Sequence, residues 1–371
     1  MQRLKRLIHS CCFWPNPFVW GPLCGGRRQL VVGSCSNGVR PAVTVNWIDI
    51  VGHDTSMAKR IAAGELLAMM DLCAKRVADV YLSSLRPGIS SSTVGVMQTV
   101  FSSPVLHGDA VRMNGRIVFC GASSLGIYIR FFRQSPSTLV ESPAGESFFT
   151  MVAIDANLNA LKVVPAVEIT AEDDIALYHR YVYLRQKTRE DEEETRALAT
   201  KSVTAGSVRC SVNEAKPTHV AISATRTQAN RIFLLYHLNN NRTIFGGELM
   251  RWMEKHAVHC ASMFTGNRNV YTVGMYTVEF RQPVFGTDWV ELEADIIYVH
   301  DTTMEVGVKL TVEREGRVVI TNRASFVMYN SNEIGQKITV LKGLELSDAS
   351  EEELLRFAQA KERYWRRRRL G

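Results

Sequence analysis

The chain has 371 residues, 46% of them hydrophobic, and a formal net charge of +7. That length supports two ordinary domains with sizeable cores, and no run of about 18 apolar residues suggests a membrane-spanning helix. The basic residues gather at the two ends, and no zinc-finger, helix-turn-helix or RNA-binding signature is present, so no nucleic-acid partner is expected.

The first 48 residues carry Arg3, Lys5, Arg6, Arg27, Arg28 and Arg40 but no acid; the first acid is Asp49. Leu4, Leu7 and Ile8 fall on one side of a helix, with the basic residues opposite. Such a leader resembles a mitochondrial transit peptide, since a membrane potential draws positive charge inward. A secretory signal would need an uninterrupted apolar core after the charges, and none follows. Residues 1–45 are therefore read as a transit peptide, and the mature protein is expected in the mitochondrial matrix. Four of the eight cysteines (Cys11, Cys12, Cys24, Cys35) fall in or near this leader. The other four, Cys73, Cys120, Cys210 and Cys260, show no metal or CxxC spacing and read as buried reduced thiols.

An internal repeat follows. VFSSPVLHGDAV and EFRQPVFGTDWV share F-x-x-P-V-x-x-x-D-x-V, through Phe101, Pro104, Val105, Asp109 and Val111, then Phe280, Pro283, Val284, Asp288 and Val290. Upstream, AAGELLAMMDLCA aligns with FGGELMRWMEKHA: Gly64 with Gly247, Leu66 with Leu249, Met70 with Met253, Asp71 with Glu254, and Ala74 with Ala257. Matched Gly and matched Phe lie 37 positions apart in the first copy and 33 in the second. Two patterns in one order at nearly one separation indicate a duplicated unit.

Each unit reads as a helix followed by strands. In the second, Val290, Leu292, Ala294 and Ile296 alternate with Glu291, Glu293 and Asp295, and Met304, Val306, Val308, Leu310 and Val312 alternate likewise. Period two marks antiparallel strands with one buried face. The segment 247–264 is apolar over most of its circumference, as a helix enclosed by a sheet must be. The expected class is α+β: two hotdog domains in tandem, each a long helix wrapped by a curled antiparallel sheet, at 46–186 and 216–335. Residues 187–215 read as a charged, mildly helical linker. Residues 336–371 read as a helical basic tail, opened by a Ser350/Glu353 capping box and ending in the solvated run Arg366 to Arg369.

On Asn239, Phe245-Gly246-Gly247-Glu248-Leu249-Met250 and Glu254, echoed by GELLAMMD in the first unit, the sequence resembles the double-hotdog acyl-CoA thioesterases, most of all their mitochondrial members. The resemblance covers roughly 50–335. It implies hydrolysis of fatty acyl-CoA to fatty acid and CoA, acyl-CoA as the bound partner, no cofactor, and assembly as a trimer of double hotdogs. It also implies a site taking its Asn loop from one domain and its acid from the other. Because the chain stops soon after the second unit, the lipid-binding domain that ends some relatives is not expected.

Asp71 has Leu67, Ala68, Ala74 and Lys75 as helical neighbours, so its carboxylate faces a desolvation cost that raises its pKa and suits a general base or nucleophile. The plainer reading is a helix-edge acid paired with Lys75. Asn239 would orient the water or thioester, although Asn240 and Asn241 leave the register open and a simple turn residue is the alternative. Gly246 and Gly247, at a helix N-terminus, would position the thioester and supply oxyanion donors, or merely permit tight packing. The complete site pairs Asp71 with Asn239. The other pairs Glu254 with Ser56, where Ser replaces Asn and Ala62-Ala63-Gly64 replaces the aromatic-Gly-Gly; it reads as vestigial. His256 and His259 lack a third ligand, so no metal is expected. The competing functions are a hotdog acyl-CoA hydratase or dehydratase, which would want a His where Phe245 stands, and a catalytically silent acyl-CoA-binding protein.

Overall fold

Period-two alternation becomes antiparallel pairing in both repeats of the computed structural model, which describes residues 30–52, 59–83, 85, 88–197, 204–208 and 210–370. Most of the leader, and Ser56, lie outside the described residues. The chain divides into two units. The first takes residues up to Leu184 with Phe233–Arg251 and Thr277–Asp288; the second takes Arg185–Ile232, Trp252–Tyr276 and Trp289–Gly371.

In the first unit the main elements are β1 (Thr44–Ile50), α1 (Ala63–Leu82), β2 (Ser90–Phe101), β3 (Ala110–Cys120), β4 (Ser124–Gln134) and β5 (Glu141–Ile154). The strands lie in the order β1-β3-β4-β5-β2, all antiparallel. Helix α1 packs on them through Leu66, Leu67, Met70, Cys73, Ala74, Val77 and Tyr81, at the three-and-four spacing of one helical face. Burying each large apolar side chain there stabilises by roughly 1.5–3 kcal/mol. Gly115 of β3 allows the approach: a Cβ there would sit 2.9 Å from Cys73 Sγ and from a Val77 methyl. A small sheet of Leu30–Val32, Ala166–Ile169 and Val39–Pro41 flanks the unit.

A 26-residue helix, α2 (Glu172–Ala197), follows. The boundary expected near 186 falls inside it. Its first half is held by packing, with Tyr181 fully buried beside Leu177 and Leu184; in the charged second half Lys187 pairs with Glu190, and Gln186 with Glu190 at 2.9 Å. At its start Asp174 accepts from Arg116 at 2.7 Å.

The second repeat supplies β6 (Thr227–Ile232), α3 (Gly246–Thr265), β7 (Val270–Phe280), β8 (Trp289–His300), β9 (Thr303–Arg314) and β10 (Arg317–Asn330). Strand order is β6-β8-β9-β10-β7, the order of the first repeat again. Val290, Leu292, Ala294 and Ile296 are all buried, as their alternation requires.

The shared motif is a turn that closes the same way twice. Asp109 Oδ2 accepts the N–H of Leu106 at 2.8 Å, and Asp288 Oδ2 accepts that of Phe285 at 2.8 Å. The Val105 carbonyl accepts the N–H of Ile61 (2.9 Å), and the Val284 carbonyl that of Ile244 (2.8 Å).

The C-terminal segment is helical, and it packs on the second repeat ahead of the arginine run. Its helix α4 (Glu351–Leu370) opens with the capping box, Ser350 N–H on Glu353 (2.8 Å) and Glu353 N–H on Ser350 Oγ (3.3 Å). It then buries Leu354, Phe357 and Ala360. Arg356 grips Asp295 of β8 with two bonds, 2.7 and 2.5 Å, and Arg363 reaches Glu305 of β9 at 2.5 Å. The strand face that reads as solvated is thus covered by a helix whose arginines answer its acids. Arg366 bonds Glu362 at 2.6 Å; the side chains of Arg367 to Arg369 are outside the described residues. Cys73, Cys120, Cys210 and Cys260 are buried free thiols, and no described helix is long and apolar enough to cross a membrane.

Candidate functional site

Asp71 sits in the middle of α1 and is only 2% exposed. Its apolar helical neighbours carry it under the surface with the rest of the buried face. There Oδ1 accepts the Thr93 hydroxyl of β2 at 2.6 Å. Burial raises the Asp71 pKa from 3.8 to about 6, against the opposing pull of the Thr93 bond, the nearby Gly247 N–H at the start of α3 and the Lys75 charge. Lys75 itself bonds Asp79 at 2.5 Å, so the plain Asp71–Lys75 pair does not form.

Gly246 and Gly247 open α3, where backbone N–H groups have no partner one turn back. The Gly247 N–H faces the Asp71 carboxylate and helps to lower its pKa. Its missing side chain serves packing: a Cβ would meet the Phe245 ring at 2.4 Å and the Ala68 Cα of α1 at 2.8 Å. A Cβ on Gly246 would instead lie 2.9 Å from Asp71 Oδ2 and 3.4 Å from the Phe280 ring. The space in front of the carboxylate exists because residue 246 is glycine.

Asn239 lies on the loop before α3, and its side chain is turned onto that loop. Its Nδ2 donates to Thr243 Oγ1 (3.0 Å) and its Oδ1 accepts the N–H of Asn241 (2.9 Å), an Asx turn. Asn241 is the one that reaches the first repeat, donating to the Ser91 carbonyl at 3.3 Å. Asp71, Thr93, Asn239, Asn240, Phe245 and Gly246 all line one cavity of about 640 Å³, walled by Met151, Ile154, Leu158, Ile244, Leu249 and Phe280. Every residue lining it belongs to the first unit, so the loop and helix start written in the second repeat are packed with the acid of the first.

Glu254, the repeat partner of Asp71, is 3% exposed and accepts the Thr272 hydroxyl at 2.6 Å. The acid–threonine pair is therefore present twice. Ser56, its proposed companion, lies outside the described residues. His256 bonds Thr227, and no described group of His, Cys, Asp or Glu side chains is arranged to hold a metal. Sequence reasoning missed both threonines, although the repeat carries the signal. Thr93 is 22 positions beyond Asp71 and Thr272 is 18 beyond Glu254, the same four-residue difference that separates the two copies elsewhere. It also missed a polar group beside the cavity: buried His237, 3.7 Å from Glu248, which bonds Arg251 at 2.5 Å.

Comparison with known proteins agrees with this architecture. Residues 241–319 match the family model of the Thioesterase superfamily. The chain is 24% identical over 320 residues to the acetyl-coenzyme A thioesterase of Mus musculus, covering 84% of this chain and 54% of that protein. It is 33% identical over 109 residues to YkhA of Bacillus subtilis, named an uncharacterized acyl-CoA thioester hydrolase, covering 28% of this chain and 62% of that one. A solved acyl-CoA hydrolase of Staphylococcus aureus aligns with a TM-score of 0.38 at 21% identity, over 41% of this chain and 93% of that one. The chain spans about half the length of the curated mammalian relatives it matches, 54% and 48%. With two hotdog repeats in one chain and the superfamily match in the second, the chain is similar to the thioesterases, and its repeated architecture is consistent with the double-hotdog ones.

Proposed function

We propose that the chain hydrolyses fatty acyl-CoA thioesters to free fatty acid and CoA at the Asp71 cavity. The observation that carries this is a carboxylate buried in an apolar-walled cavity, its pKa raised to about 6, beside an open helix N-terminus. A base of that strength is largely ionised at neutral pH yet still takes up a proton readily. Asp71 removes a proton from a water as the water's oxygen bonds to the thioester carbon. The carbonyl oxygen becomes an oxyanion, which the Gly246 N–H stabilises. Collapse of the intermediate breaks the C–S bond, and the leaving thiolate recovers the proton from Asp71. Asn239 orients the water or the thioester once its amide leaves Thr243. Glu254 and Ser56 take no part.

The engagement of the Asn239 amide with its own loop favours a second reading, a silent acyl-CoA-binding protein. Thiol release measured with acyl-CoAs of graded chain length separates the two: CoA release supports hydrolysis, and binding without release supports the second reading. Hydration of an enoyl-CoA without thiol release would instead establish the hydratase.

We also infer assembly as a trimer of double hotdogs, to be read by light scattering, and import into the mitochondrial matrix by the basic leader; the boundary expected at 45 is too late, because Leu30–Val32 and Val39–Pro41 already pair with Ala166–Ile169 of the folded unit. A reporter carrying residues 1–48 that stays diffuse in the cytosol removes the import proposal.

A further inference from the structure

We propose that His237 is a positioning residue that holds the Asn239 loop against the helices bearing Asp71 and Gly247; this rests on the thioesterase reading above. The loop is closed on itself by an antiparallel bridge between Leu238 and Ile244. The Phe245 N–H donates to the His237 carbonyl (2.9 Å), and that of Asn239 to the Thr243 carbonyl (2.8 Å). These bonds fix the loop's shape but leave its placement to other contacts.

The His237 ring supplies one. It is 8% exposed, and its Nδ1 accepts the N–H of Leu234 at 2.8 Å. An accepting Nδ1 puts the proton of the neutral ring on Nε2. Nε2 lies 3.7 Å from Glu248 Oε1, a polar contact longer than a hydrogen bond. The other oxygen of Glu248 accepts from Arg251 at 2.5 Å, and Arg251 reaches Glu65 at 2.9 Å. The line His237–Glu248–Arg251–Glu65 therefore joins the turn before Asn239 to the first turns of α3 and α1. The ring has aromatic neighbours on both sides, Tyr236 with centroids 4.0 Å apart and Phe233 at 5.3 Å. Asn241 also ties the loop to Ser91 and Ile244 ties it to Val284, but the path from the turn before Asn239 to Glu248 and Glu65 runs through the His237 ring, so loss of the ring loosens Asn239 in its register with Asp71.

The test uses the full chain and the variants His237→Leu, His237→Asn and His237→Gln. In His237→Leu, kcat is expected to fall about tenfold or more with KM little changed, the signature of an interaction needed only at the transition state. Amide hydrogen exchange over 238–245 should quicken about tenfold while that of β8 and β9 stays as in the parent. His237→Asn, whose Oδ1 can accept the Leu234 N–H in place of Nδ1, should recover most of both losses; His237→Gln should recover less. Unchanged loop exchange in His237→Leu overturns the proposal, as does a loss shared equally by the Asn and Leu variants with faster exchange throughout. If the parent protein releases no thiol from any acyl-CoA, the thioesterase reading falls, and the exchange comparison still decides whether His237 holds the loop.

Discussion

The Thr93 hydroxyl donates to the carboxylate of Asp71 at 2.6 Å, so strand β2 is tied to the middle of α1 by a charge-assisted bond. The start of α3 closes on the same carboxylate, where a Cβ on Gly246 would lie 2.9 Å from Asp71 Oδ2.

Replacing Asp71 by Asn should abolish turnover and stabilise the fold at neutral pH. The folded pKa, about 6, exceeds the unfolded 3.8, so the native state binds the proton more tightly than the unfolded chain. The buried charge is therefore destabilising above about pH 6, by roughly 2–3 kcal/mol. That cost fades as pH falls from 6 toward 3.8. Denaturant unfolding should show the variant more stable at pH 7.5 and level with the parent near pH 4. Equal stability at both pH values contradicts the assignment.

The pH dependence of kcat/KM should show an acid limb near 6, because the base must be ionised. Thr93→Val removes a bond donated to the charged form, so the carboxyl pKa rises and the limb moves to higher pH. A variant profile superimposing on the parent's would mean that Thr93 does not act on Asp71.

The two glycines should fail differently. Gly247→Ala drives a methyl into the Ala68 backbone and should destabilise the protein by about 1–3 kcal/mol. Gly246→Ala meets the tip of the Asp71 side chain, which can yield, so the protein should fold with near-parent stability and lose kcat. Thermal unfolding alongside kinetics distinguishes them.

Asp71→Ala and Asn239→Ala should each abolish turnover, whereas Glu254→Gln should keep most of it. The Gln variant retains the acceptor for Thr272 and removes only the charge. Equal loss in all three rejects a single working site.

Removing Arg356 leaves Asp295, 3% exposed, without its bidentate partner. Arg356→Ala should cost about 3–5 kcal/mol, read by denaturant unfolding.

Much of this was legible in the sequence because it is periodic or repeated. The alternation at Val290 to Ile296 announced a strand, and the apolar neighbours of Asp71 announced its burial. Other features depended on what covers what. Asp295 and Glu305 read as solvent-facing because charge alternating with apolar residues has that meaning until a helix brings arginines to it. The Asn239 side chain read as aimed at substrate because its type suits that task. Local competition from Thr243 and the Asn241 N–H is invisible without coordinates. Thr93 was readable in principle, but threonine is common in strands, and only its echo at Thr272 singles it out.

The segments of the first unit are not consecutive: after Leu184 it resumes at Phe233 and again at Thr277, closing only at Asp288. A ribosome has therefore emitted more than three quarters of the chain before that body holds all its parts, and Asp71 waits for a Gly247 made long after it. Expressing the N-terminal repeat alone would leave the carboxylate with only the Met151, Ile154 and Leu158 side of its cavity. The first unit cannot be separated from the second repeat by cutting the chain once.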